Sequence, residues 1–221
     1  MPRLTLRQID DENSAMLTRQ ARFRIAADVV TDALARFAEV ERIALIGSVA
    51  RPLWKEVPRF SEFRRQHVEI WHECKDVDLA VWLNRFDRLR ELNRARNLAA
   101  QGIHAKLGFG VANHEVEIFL LEPGSDRYLG RLCKFASCPK GKRACDVPGC
   151  GSEAFLQQHQ DFVFWPDTLR HDRSILLYDR DVGVVQRSAD IPAIGHESVE
   201  ASRTSPWHAS GAPSIPRRTS R

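Results

Sequence analysis

Ile43-Ala44-Leu45-Ile46-Gly47-Ser48 and, further along, Lys75-Asp76-Val77-Asp78-Leu79-Ala80-Val81-Trp82-Leu83 decide the reading of this chain. An apolar run that stops at Gly-Ser predicts a buried strand ending in a tight turn. A second apolar run that opens with Asp-x-Asp predicts a buried strand carrying carboxylates. Alternate side chains of an extended strand share a face, which sets Asp76 and Asp78 on one side, about 7 Å apart. Carboxylates that close repel each other unless a cation lies between them, and hard oxygen donors suit Mg²⁺ or Mn²⁺.

A third acid stands inside another short apolar run, Glu115-Val116-Glu117-Ile118-Phe119-Leu120-Leu121. If that run is a strand beside the first, Glu117 completes a three-carboxylate cluster. Glu115, on the same face, is the weaker candidate, because Glu117 is flanked by Val116 and Ile118 and is the harder of the two to explain as a solvated strand end. Gly47 lets backbone approach a ligand closely. Ser48 offers a hydroxyl and a cap for a helix expected over residues 49–55, whose free N–H groups attract phosphate. Arg51, one turn into that helix, is expected to contact phosphate as well.

Together these residues resemble the nucleotidyltransferase superfamily typified by DNA polymerase beta. Its pattern is an apolar strand, Gly-Ser, a helix, Asp-x-Asp in the next strand and a third acid in a later one. Gly47, Ser48, Arg51, Asp76, Asp78 and Glu117 stand at the matching positions, and the resemblance covers roughly residues 17–121 with a last strand at 174–178. It implies an α/β fold, a small mixed β-sheet flanked by helices. It also implies Mg²⁺-dependent transfer of a nucleoside monophosphate from a nucleoside triphosphate to an acceptor hydroxyl that the fold does not name. Two features depart from the pattern. The two motifs are separated by 27 residues where about a dozen are usual, and the third acid is Glu where Asp is commoner. A non-catalytic nucleotide- or nucleic-acid-binding module on the same fold is the alternative.

The long separation holds five basic residues, Arg51, Lys55, Arg59, Arg64 and Arg65, among Trp54, Phe60, Phe63 and Trp71. The arginines suit a polyphosphate. The aromatics suit either base stacking or the packing of an amphipathic helix on the core.

Cysteine supplies a second signature. Cys133, Cys138, Cys145 and Cys150 fall within 18 residues, separated by Pro and Gly, in a basic segment spanning 131–151. Clustered thiols in a reducing compartment point to a closed, structural Zn²⁺ site, with an iron–sulfur cluster the lesser possibility. Cys74 stands apart and reads as a packing residue. Among the histidines, His114 is placed to orient a phosphate or a carboxylate, with a hydrogen-bonded surface role the simpler reading.

With 43% hydrophobic residues in 221, the chain is long enough for one sizeable core but short for two full domains. No apolar run reaches the length of a membrane span and the first 16 residues lack a signal-peptide core, so a cytoplasmic location is expected. Helices are expected over 17–38, 85–100 and 152–161, the second with a solvated charged face, and strands over 42–46 and 174–178. The folded domain is expected to end near residue 185. Residues 186–221, rich in Ser, Pro, Ala and Arg, read as a disordered tail.

Overall fold

The computed structural model describes residues 3–59, 61–136, 153–158 and 162–194. It is a mixed α/β fold built on a seven-stranded sheet in the order β7-β6-β5-β4-β1-β8-β9. The strands are β1 (Val40–Ile46), β4 (Val77–Leu83), β5 (Val116–Leu121), β6 (Tyr128–Leu132), β7 (Leu156–Gln157), β8 (Ile175–Asp179) and β9 (Gly183–Val184). Only β4 and β5 run parallel; every other neighbouring pair is antiparallel. The expected small mixed sheet is thus a large and mostly antiparallel one. The helix α4 (Leu89–Leu107) makes the crossover that the parallel pair requires. It stops at Gly108, whose φ of +72° closes the helix in the left-handed region.

The two sheet faces differ. Val77, Leu79 and Val81 of β4 join Ile43 and Leu45 of β1, Val116, Ile118 and Leu120 of β5, and Leu177 of β8 in the main core. That core is covered by α1 (Leu6–Leu34) and α4, through Phe23, Ala27, Val30, Leu92 and Ile103 among others. The other face carries Ala80, Trp82, Phe119 and Leu121, under a smaller cover that includes Phe162, Phe164 and Leu169. Asp78 and Glu117 belong to this second face by alternation.

Several expectations change. The first helix begins at Leu6 rather than near residue 17, because Thr5 and Gln8 form a capping box: the Gln8 N–H donates to Thr5 Oγ1 at 3.3 Å and the Thr5 N–H donates to Gln8 Oε1 at 2.9 Å. The helix expected over 49–55 is a single turn, α2 (Gly47–Ala50). Its N-cap is Ile46, with no side-chain cap bond, so Ser48 lies inside the turn and caps nothing. Pro52 is the reason, since the residue before proline is excluded from the helical region and Arg51 is extended at φ −100°, ψ 158°. The 27-residue separation folds as a two-stranded ribbon, β2 (Lys55–Glu56) with β3 (Ile70–Trp71), joined through the one-turn α3 (Glu62–Arg65), and not as an amphipathic helix. Phe63 is buried, Phe60 lies outside the described residues, and Trp54 stacks on His72 with ring centroids 3.9 Å apart.

In the segment expected to form a helix over 152–161, the described residues 153–158 contain β7 instead, paired with β6. Residues 186–194, expected within the tail, are held against α1. The Ser188 N–H donates to Asp28 Oδ1 at 2.9 Å, its hydroxyl donates to the Arg24 carbonyl at 2.9 Å, and the Ala189 N–H donates to Asp28 Oδ2 at 3.1 Å. The fully buried Arg24 guanidinium donates to the Val49 and Ile191 carbonyls, tying this segment to the turn after β1. Residues 195–221 of the expected tail lie outside the described residues. Among the described residues no helix is long and apolar enough to cross a membrane.

Candidate functional site

Strand register assembles the site. Ile46, the last residue of β1, pairs with Asp78 on β4, and Asp78 pairs with Glu117 on β5. The three positions form a row across the sheet at the end where β1 runs into Gly47. There the chain turns with φ +77°, and a Cβ on Gly47 would meet Asp78 Oδ2 at 2.5 Å. Both facts demand glycine: an L side chain is strained at that φ, and it would displace the carboxylate. The close backbone approach anticipated for a ligand is therefore made first by Asp78.

The Asp78 carboxyl is pushed up to about 7, foremost by burial and then by the charges of Glu117 and Asp76, with Arg131 opposing. A half-buried acid between two others is a site of stored repulsion that a cation relieves. Asp76 is half-buried and stands one residue ahead of β4 instead of within it. Asp76, Asp78 and Ser48 line one side of an open cleft of about 710 Å³, whose other side is formed by the β2–β3 ribbon through Glu56, Arg59, Trp71 and His72, with Lys75 nearby. Ser48 also hydrogen-bonds the buried Cys74 thiol, whose pKa is raised by burial against that bond.

Glu117 is drawn the other way. Arg131 of β6 donates to Glu117 Oε2 at 2.6 Å, and its guanidinium lies over the Phe119 ring at 4.5 Å and the Phe162 ring at 4.9 Å. Among the described residues no group of three or more His, Cys, Asp or Glu side chains is drawn together in a form that could hold a metal ion. Sequence reasoning placed Arg131 only in the basic cysteine-rich segment; its position opposite Phe119 in the β5–β6 register is what brings it to Glu117.

Two expected site residues lie elsewhere. Arg51 does not border the cleft; its guanidinium sits over Trp54 at 4.6 Å, while its carbonyl accepts from Gln20 and Arg24. Glu115 lies in a 3₁₀ turn (Asn113–Glu115) instead of the strand, accepting from the Ala112 N–H at 2.7 Å and pairing with Arg19 at 3.3 Å, both structural tasks. Of the zinc candidates, Cys133 alone is described. Its sulfur accepts the Phe135 N–H at 3.4 Å, and Cys138, Cys145 and Cys150 lie outside the described residues.

No family model, no curated protein and no solved structure matches this chain.

Arg96 lies on the helix expected to present a solvated charged face, yet it is only 6% exposed. The signal was in the spacing: Leu89, Leu92, Arg96 and Ile103 occupy one helical stripe, and Arg96 falls on its buried line.

Proposed function

We propose that this chain is a metal-dependent nucleotidyltransferase of the kind its Gly-Ser turn and acidic strands resemble, moving a nucleoside monophosphate from a nucleoside triphosphate to an acceptor hydroxyl. The observation that carries the reading is Asp78, a half-buried carboxyl flanked by Glu117 and Asp76, packed on the Gly47 backbone at the mouth of a cleft that Ser48 also lines. A carboxylate placed where its own charge is disfavoured needs a compensating partner, and the donor set, all hard oxygen, fits Mg²⁺ or Mn²⁺.

Asp76, Asp78 and Glu117 are the residues that would hold the metal, Glu117 after parting from Arg131. When bound, a divalent cation supplies positive charge to the triphosphate and its leaving group. Ser48 and the backbone at Gly47 orient the outer phosphates on the floor of the cleft. Glu117 takes the proton of the acceptor hydroxyl, whose oxygen then bonds to the α-phosphorus. The bond from that phosphorus to its bridging oxygen breaks, and pyrophosphate leaves.

The same proposal includes a structural Zn²⁺ on Cys133, Cys138, Cys145 and Cys150, and a cytoplasmic location. The hydrogen bond that the Phe135 N–H donates to the Cys133 sulfur supports the first, because such N–H groups stabilise a thiolate. The Glu117–Arg131 ion pair favours a second reading, a domain that binds nucleotide without turnover, since it engages the third acid. Incubation with α-phosphate-labelled triphosphates and Mg²⁺ or Mn²⁺, offered small molecules, RNA and protein, separates the two. Label carried into a metal-dependent product supports transfer. Nucleotide binding without any labelled product, across acceptors and both metals, rejects it.

A further inference from the structure

A second cavity, of about 440 Å³, opens beside Glu117. Its walls include Arg96, His114, Glu117, Arg131 and Lys134, so that three permanent cations and a histidine face one carboxylate, which Arg131 already neutralises at 2.6 Å. The first cleft has the reverse balance, with Glu12, Glu56, Glu73, Asp76 and Asp78 in its walls against Arg59, Lys75 and His72. An acid-rich cleft receives polyphosphate only together with a cation. A basic cavity receives an anion directly.

Arg96 makes the cavity more than a patch of surface charge. Its buried guanidinium is satisfied only by neutral oxygens: Asn93 Oδ1 at 2.6 Å, Asn97 Oδ1 at 3.2 and 3.1 Å, and the Val116 carbonyl at 3.5 Å. These use four of the five N–H donors of an arginine and leave one Nη1 hydrogen without an acceptor among the described residues. A buried cation with no carboxylate bonded to it is costly unless a ligand supplies the charge. His114 and Lys134 are exposed at the same cavity, so that α4, the 3₁₀ turn and the segment after β6 each bring a donor to it, and a phosphate, with more acceptor oxygens than a carboxylate, can engage all three. The volume lies within the range of small-molecule sites.

We infer that this cavity receives the acceptor, and that the acceptor is a small molecule bearing a phosphate group held by Arg96, His114 and Lys134. The inference rests on the proposed transfer reaction for the word acceptor: Glu117, which would take the hydroxyl proton, is the wall that this cavity shares with the acidic row. The phosphate anchors the molecule, and its hydroxyl faces Glu117.

Calorimetric titration of the full chain with inorganic phosphate, in chelator and at constant ionic strength, tests this without metal or nucleotide. Wild type binds phosphate in preference to acetate. The double variant His114→Gln with Lys134→Gln, altered at exposed positions so that folding is retained, weakens phosphate binding at least about tenfold, the scale expected when charge-assisted hydrogen bonds are lost. Arg7→Gln, which removes an exposed cation of α1 outside this cavity, leaves phosphate binding unchanged. Equal binding of acetate, an unaltered affinity in the double variant, or an equal loss in Arg7→Gln overturns the assignment. Because no triphosphate takes part, failure of this site leaves the transfer proposal standing, and a failed transfer assay leaves the phosphate site standing.

Discussion

Replacing Asp78 by Asn should stabilise the metal-free protein above neutral pH and remove the activity proposed for it. The carboxyl lies at about 7 in the folded protein against an ordinary 3.8, so the folded state holds a proton that the unfolded chain gives up. With the folded value raised, stability falls as pH climbs from about 4 to 7, and above that window the full penalty is present. Three units of difference correspond to about 4 kcal/mol, an upper bound because Asp78 keeps some contact with water. Asparagine has nearly the same volume and no charge. Denaturant unfolding in chelator at pH 4 to 8 should therefore give equal stabilities for the two proteins at the acid end and a growing advantage for Asp78→Asn toward pH 8. Millimolar Mg²⁺ or Mn²⁺ should narrow that gap by stabilising wild type alone. A variant less stable than wild type at pH 8, or a difference that does not change with pH, would refute the reasoning about the Asp78 carboxylate.

Other outcomes follow from single contacts. Gly47→Ala should destabilise by about 1–3 kcal/mol, measured by the same unfolding, because it combines a positive φ with a Cβ 2.5 Å from Asp78 Oδ2. Arg51→Ala should leave triphosphate affinity near wild type while Ser48→Ala lowers it, since Arg51 lies on Trp54 and Ser48 lines the cleft; nucleotide titration reads both. Asp28→Asn should expose residues 186–194 to protease, because Asp28 accepts from the Ser188 and Ala189 backbone. For the cysteines, elemental analysis should find about one zinc per chain, lost together with thermal stability in Cys138→Ser.

The buried strands were legible because β1, β4, β5 and β8 are short continuous apolar runs, and the acids stood out as interruptions of them. Their register was not legible. Ile46, Asp78 and Glu117 align through pairings between distant segments, and no local pattern encodes that alignment. The strands β6, β7 and β9 escaped because they are short and of mixed burial, β7 and β9 as two-residue edge strands and β6 broken by Gly130, with no apolar run to mark them. Pro52 is a visible stop inside the helix expected over 49–55 from a Ser48 cap, and it confines that helix to Gly47–Ala50. Arg131 and Arg96 looked like solvated charge because arginine usually is; only the stripe through Leu92 and Ile103 marked Arg96 as buried. Residues 186–194 have the composition of a tail, but Ser188, Ala189 and Ile191 are fixed by Asp28 and Arg24, polar residues on the inner face of α1 whose partners no periodicity reveals.

The central claim is that Asp76, Asp78 and Glu117 hold a divalent cation. Electron paramagnetic resonance of free Mn²⁺ titrated with the full chain measures this directly, because bound ion leaves the free-ion signal. The account predicts saturable uptake by wild type and an affinity lower by about tenfold or more in Asp76→Asn, Asp78→Asn and Glu117→Gln, one charged ligand being lost in each. Uptake that is absent in wild type, or equal in wild type and all three variants, would contradict it.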